Sequence, residues 1–163
     1  MKRAVALLAG LLALSACGLQ PMYAGGSSGA VARGLSAIEV APIEGQAGWL
    51  VRNAVRDRIG IAGQSAAQYR LVVRLDDALE GLGVLSDDTI SRERRILRAR
   101  YQLVDLASGD IVLDATAGSD AGIDVVSSEY ATIAAEQTAL ENLSREIADQ
   151  IVRQVSLTLR ETP

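Results

Sequence analysis

Arg92, Arg94, Arg98 and Arg100 stand at even-numbered positions of one short segment. In a strand, successive side chains point to opposite faces, so these four would share one face. A guanidinium offers paired donors in a fixed fork that fits a phosphate, and such a row could hold phosphate groups. It could equally be a solvated strand face whose arginines pair with Asp and Glu, because charge runs usually are, and surface pairs of that kind have little energetic consequence. Two carboxylate pairs, Asp76-Asp77 and Asp87-Asp88, raise acid–base chemistry or a metal site. Adjacent strand residues diverge and Asp serves turns readily, so solvation at a turn or strand end is the simpler account. The rest of the inventory is poor in catalytic groups. There is no histidine, Lys2 is the single lysine, and Cys17 is the single cysteine. A non-enzyme without metal or cofactor is expected.

Cys17 follows Leu14-Ser15-Ala16. That tetrapeptide resembles the bacterial lipobox, where small side chains fit a peptidase and the thiol is diacylated. Upstream, Met1-Lys2-Arg3 is basic and residues 4–14 are an apolar run of Ala, Val, Leu and one Gly. A basic start, a short apolar stretch and a small-residue exit are the parts of a secretory signal. The run is too short for a bilayer, which needs roughly 20 apolar residues. Residues 1–16 are therefore expected to be removed, leaving Cys17 as a lipidated N-terminus whose only prosthetic group is that covalent lipid. One cysteine allows no intrachain disulfide, and lipidation gives an unpaired cysteine in an exported protein its use. Gly18 stands where lipoproteins kept in the inner membrane often carry Asp. By that resemblance the destination is the outer membrane, on its periplasmic side.

Loss of residues 1–16 removes Lys2 and Arg3 and takes the formal charge from −4 to −6. The chain is acidic overall, whereas nucleic-acid-binding proteins usually show a net basic face, so no nucleic-acid partner is expected. The remaining length suits one domain, able to bury about two-thirds of its unfolded surface. With no Phe, one Trp and four Tyr, the core must come from Leu, Ile, Val and Ala.

Residues 17–36 read as a lipidated N-terminus and flexible tether, rich in Gly, Ser and Ala from residue 24, and the domain is expected over residues 37–163. Residues 35–43 read as a strand with Ile38 and Val40 on one face and Pro42 ending it. Residues 48–61 read as a helix with Val51, Ala54, Val55 and Arg58 on one face, stopped by Gly60 and Gly63. Trp49 beside it is expected to be a core or staple residue. Residues 69–76 alternate, with Tyr69, Leu71, Val73 and Leu75 inward. Residues 89–106 alternate again, with Leu97, Ala99, Tyr101 and Leu103 inward and the arginine row outward. Ala107-Ser108-Gly109-Asp110 makes a hairpin turn into a strand with Ile111, Leu113 and Ala115 inward. Residues 128–159 read as a long helix, because Ile133, Leu140, Leu143, Ile147, Ile151 and Val155 recur at spacings of three and four. Tyr130 is expected to pack at its start. The order β-α-β-β-β-α predicts a single α+β domain: a four-stranded antiparallel or mixed sheet with two helices packed on one face.

The heptapeptide Cys17-Gly18-Leu19-Gln20-Pro21-Met22-Tyr23 resembles the start of the mature lipopolysaccharide-assembly lipoproteins, the LptE family. These begin with Cys-Gly, an apolar residue, a polar residue, Pro, an apolar residue and Tyr; Leu19 and Met22 stand where Phe and Leu are commoner. A looser similarity continues through Ile38-Glu39-Val40-Ala41-Pro42-Ile43, Arg94-Arg95-Ile96-Leu97 and Tyr130-Ala131-Thr132, nearly the whole mature chain. The resemblance implies a plug and assembly partner inside the lumen of a large outer-membrane β-barrel of the LptD type, which inserts lipopolysaccharide into the outer leaflet. It also implies direct contact with lipopolysaccharide. In that setting the arginine row would meet the phosphates of lipid A and the inner core, or acidic groups of the lumen. A second reading, an accessory lipoprotein of an envelope lipid-transport ABC system, also joins a lipobox to a small α/β domain. The partners recovered with the protein separate the two.

Overall fold

A computed structural model describes residues 29–60, 66–84 and 90–161. The elements are α1 (Ala30–Ser36), β1 (Ile38–Val40), α2 (Gly45–Ile59), β2 (Tyr69–Val84), β3 (Ile90–Asp105), β4 (Ile111–Asp124) and α3 (Glu129–Glu161). The strands form one sheet in the order β1-β2-β3-β4, with β1 parallel to β2 and the other neighbours antiparallel. This is the expected α+β domain with a mixed four-stranded sheet, carrying three helices among the described residues instead of two.

Alternation decides which face of the sheet is covered. Leu71 and Val73 of β2, Leu97, Ala99, Tyr101 and Leu103 of β3, and Ala117 of β4 are buried. Over them close Leu140, Leu143, Ile147, Ile151 and Val155 of α3 and Val51, Ala54 and Val55 of α2. Each fully buried side chain of Val, Leu or Ile size contributes roughly 1.5–3 kcal/mol, which fixes the register, since a one-residue slip would turn every one of them outward. Gly60 ends α2 at φ +80°, a conformation open almost only to glycine. Gly63 lies outside the described residues.

Residues 30–36, expected as the end of the tether, are instead α1. Val31 and Leu35, one helical turn apart, are buried in the core, and α1 lies so close to α3 that a Cβ on Gly34 would stand 3.1 Å from Leu159 Cδ1. Burying two apolar side chains offsets the entropy of ordering a short segment. The domain therefore starts before residue 37, and β1 is shorter than the strand expected over residues 35–43. The signal, Cys17, the rest of the tether and Asp87-Asp88 lie outside the described residues. β2 runs well past residue 76 because β3 pairs with it throughout, from Tyr69 opposite Asp105 to Val84 opposite Ile90.

Three residues expected to pack are on the surface: Trp49, Tyr130 and Ile133 are 64%, 84% and 54% exposed. For Tyr130 and Ile133 the reason lies in the lengths of two parallel helices, whereas Trp49 stands on the face of α2 turned away from the buried Ala47, Val51, Ala54 and Val55. Gln46 donates to Gln137 at 2.8 Å and Arg58 Nη2 to Asp149 at 3.1 Å, so α2 and α3 run side by side from residue 137 of α3 onward. The 33-residue α3 begins two turns before α2 does, and Tyr130 and Ile133 on that overhang face no helix. Ile111, expected inward, opens β4 beside the hairpin turn and is also exposed.

Candidate functional site

The sheet face turned away from the helices carries all four arginines of the row. Three are engaged by acids of β4. Arg92 Nε lies 3.4 Å from Asp124 Oδ1, Arg94 Nε 3.1 Å from Asp120 Oδ2, and Arg100 Nη2 3.0 Å from Asp114 Oδ2. Asp124 is directly opposite Arg92, whereas Asp120 and Asp114 are diagonal neighbours in the β3–β4 register. Gln102 adds a 2.8 Å bond to Asp114. Arg100 first, and Gln102 second, hold that carboxyl below its ordinary range, and Asp114 in turn raises Arg100. Toward β1, Arg70 pairs with Glu39 at 3.2 Å. Solvent-exposed pairs like these add little stability; their effect here is to tie the side chains down across the strands.

Arg98 is different. Among the described residues it has no ion pair and no hydrogen bond, and it lies across Gly118, the residue opposite it on β4. A Cβ at position 118 would come within 2.5 Å of Arg98 Nη1, so the glycine gives the guanidinium its room. Arg74 of β2, directly opposite Arg100, also lacks an ion pair among the described residues. Like charges facing each other across two strands repel, so an anion placed between them is favoured. Arg74, Asp76, Arg98, Arg100 and Thr116 line a shallow depression of about 600 Å³. At its β4 margin the amide of Gln150 accepts from Gly118 N–H at 3.2 Å and donates to Gly118 C=O at 3.1 Å.

The alternation thus places the four arginines together on one face, but the structure divides them. Arg98 and Arg100 line the depression, whereas Arg92 and Arg94 stand nearer the start of β3 with their own aspartates. Arg74 was not singled out by sequence. Its outward direction follows from the alternation of residues 69–76, but its place opposite Arg100 depends on strand register, which no single strand reveals. Asp76 lies on the open face, while Asp77, on the helix face, binds Arg95 at 2.9 and 2.7 Å, so the two carboxylates do not act together. Among the described residues there is no cluster of His, Cys, Asp and Glu that could hold a metal, and no helix is long and apolar enough to cross a membrane.

The sequence profile of the LptE family, described as lipopolysaccharide assembly, matches residues 35–155. The chain belongs to the LptE family. That span takes in every strand, α2 and most of α3, and membership assigns the protein to lipopolysaccharide assembly at the cell envelope, as a lipoprotein. The chain is similar to a lipoprotein from Caulobacter crescentus at 25% identity and a TM-score of 0.67, over 83% of this chain and 98% of that one. Rare lipoprotein B from Shewanella oneidensis has the same fold at 12% identity and a TM-score of 0.54, over 76% of this chain and 95% of that one. Lipoprotein B from Nitrosomonas europaea shares it at 14% identity and a TM-score of 0.56, covering 77% of this LptE-family chain and 86% of its own. No curated protein sequence matches the chain.

Proposed function

We propose that this LptE-family protein is an outer-membrane lipoprotein, held on the periplasmic side through acylated Cys17. In this reading it plugs the β-barrel lipopolysaccharide translocon and helps that barrel assemble, assisting insertion of lipopolysaccharide into the outer leaflet. The observation that carries the reading is the family match over residues 35–155. The open face suits it physically, because a barrel lumen is polar and this face presents a ladder of arginines and aspartates. The test is a pull-down of C-terminally tagged protein from detergent-solubilised outer membranes, with partners identified by mass spectrometry. A large β-barrel in stoichiometric amount is the expected result. Inner-membrane transport components in its place would sink the reading and favour the accessory-lipoprotein role.

Within this reading the open face meets the phosphates of lipopolysaccharide, and the four arginines contribute unequally. Arg98 is ready for a phosphate, with Arg100 and Arg74 beside it. Arg92 and Arg94 must first give up their aspartates. A charge-assisted hydrogen bond is worth about 1.5–3 kcal/mol. Arg98→Ala should therefore weaken binding of fluorescent lipopolysaccharide about tenfold, while Arg92→Ala should change it by less than about twofold. Equal affinities for Arg98→Ala and the parent protein would leave the row as a solvated face.

A further inference from the structure

The two faces of α2 meet different surroundings. Ala47, Val51, Ala54, Val55 and Ile59 are buried against the core. On the opposite side Trp49, Arg52, Asn53 and Arg56 recur at spacings of three and four, so they form one continuous face. Trp49 and Arg56 are exposed, and neither has a hydrogen bond or ion pair among the described residues. Arg52 is half-buried and is steadied by a 3.3 Å bond from its Nε to Val40 C=O.

Arg56 stands between two hollows. One, of about 190 Å³, lies toward β1 and is shared with Arg52; the other, of about 350 Å³, is shared with Asn53 and Gly60. Each hollow has one acid in its wall. Glu39 in the first is taken by Arg70 at 3.2 Å. Asp57 in the second comes three turns after Gln46 and so lies on the flank toward α3, where Gln46 bonds Gln137. The outer face itself therefore carries two cations and no acid. A guanidinium so placed can take a phosphate through paired donors. An indole beside it, apolar in its ring and polar at its N–H, is the side chain that settles at the headgroup level of a bilayer. Trp with Arg on the outward side of a helix is the composition of a helix lying in a membrane interface.

Chain length and charge together select the surface that meets this face. Twelve peptide steps separate Cys17 from Gly29, the first described residue. Whatever their conformation, they span at most roughly 40 Å, so a lipid on Cys17 keeps the domain beside a phospholipid surface. The chain is acidic overall, and an anionic surface repels it on average. Such a surface is met best by a face with arginines and no carboxylate between them. The open sheet face fails that condition, because Asp114, Asp120 and Asp124 are interleaved with its arginines. We propose that the outer face of α2 docks on an anionic phospholipid surface, with Trp49 at headgroup level and Arg52 and Arg56 on lipid phosphates. This docking rests on the acylated Cys17 of the translocon reading and adds an orientation to it. With α2 against the bilayer, the open sheet face, on the far side of the sheet from the helices, is turned away from it.

Trp49 is the single tryptophan of the chain, so its fluorescence reports this face alone. The full-length lipoprotein, purified from membranes, is reconstituted into vesicles of phosphatidylcholine with or without phosphatidylglycerol and recovered by flotation. It should float with both. With phosphatidylglycerol, Trp49 emission should shift to the blue and be quenched by phospholipids brominated near the headgroup. With phosphatidylcholine alone, the emission should stay that of an indole in water. Arg56→Gln, which breaks no bond among the described residues, should lower the ratio of docked to undocked protein about fivefold, the effect of one arginine at an anionic surface. About 1 M salt, where the Debye length falls to about 3 Å, should undo the docking of the parent protein while it still floats. Unshifted Trp49 emission in floating protein would overturn the docking and leave the anchor standing. A blue shift without bromine quenching would mean that a protein surface covers Trp49, and equal quenching in both lipids or indifference to Arg56→Gln would remove the anionic lipid as occupant; each overturns the proposal. Failure to float would overturn the anchor at Cys17, and the docking with it.

Discussion

Gly48→Ala should lower stability by about 2 kcal/mol, although alanine is the better helix former by about 1 kcal/mol. Gly48 is buried in the first turn of α2, where the chain has just come off β1 through Pro42, Ile43 and Glu44. A Cβ at this position would stand 2.6 Å from Ile43 O and 2.7 Å from Ile43 C. These are main-chain atoms, so no rotamer change relieves the clash, and either the turn or the start of the helix must move. Ile43 packs against the core, so that movement is felt beyond the turn. Overpacking of this kind costs about 1–3 kcal/mol. The measurement is the urea midpoint of the variant beside the parent. An unchanged or raised midpoint would mean that the β1–α2 turn yields freely and that propensity prevails.

Cys17→Ala should remove all lipid from the protein and leave residues 1–16 attached. The thiol is the only nucleophile at that position able to take the diacylglyceryl group, and alanine offers none. Burying acyl chains contributes about 0.8 kcal/mol per CH₂, so losing two or more chains takes away the membrane affinity that a single chain supplies only marginally. The expected results are no labelling by radioactive palmitate and accumulation of the precursor. The described core begins at Val31, so the unfolding midpoint of the domain should not move. Equal labelling of variant and parent would remove the claim that Cys17 carries the lipid.

Periodicity alone was enough for the central part of the fold. The two-residue alternation of residues 69–76 and of the β3 segment, and the three-and-four spacing from Leu140 to Val155, each specify a buried face without help from the rest of the chain, because burial of apolar area is strongly favoured and non-directional. The arginine row was legible for the same reason, as the complement of the Leu97-to-Leu103 face. Positions that depend on what stands opposite were not legible. α1 was hidden because two apolar residues in a run of small ones form a helix only when α3 offers a surface to cover them. Tyr130 and Ile133 carry the right residue types for a core, but their burial depended on where α2 begins relative to α3, a matter of helix length and loop geometry; Trp49 falls on the outer face of α2, opposite Val51, Ala54 and Val55.

The candidate site follows the same division. The sequence by itself determined that Arg92, Arg94, Arg98 and Arg100 share a face, that no histidine or second cysteine is available for catalysis, and that Cys17 stands in a lipobox-like setting. Only the tertiary structure decided that Asp124, Asp120 and Asp114 occupy three of those arginines, that Gly118 clears space for the fourth, and that Arg74 stands opposite Arg100. Which side of a strand a residue takes is set by its own backbone, two residues at a time. Which charge it meets is set by register between strands distant in sequence, and register emerges only when the whole apolar face is buried at once.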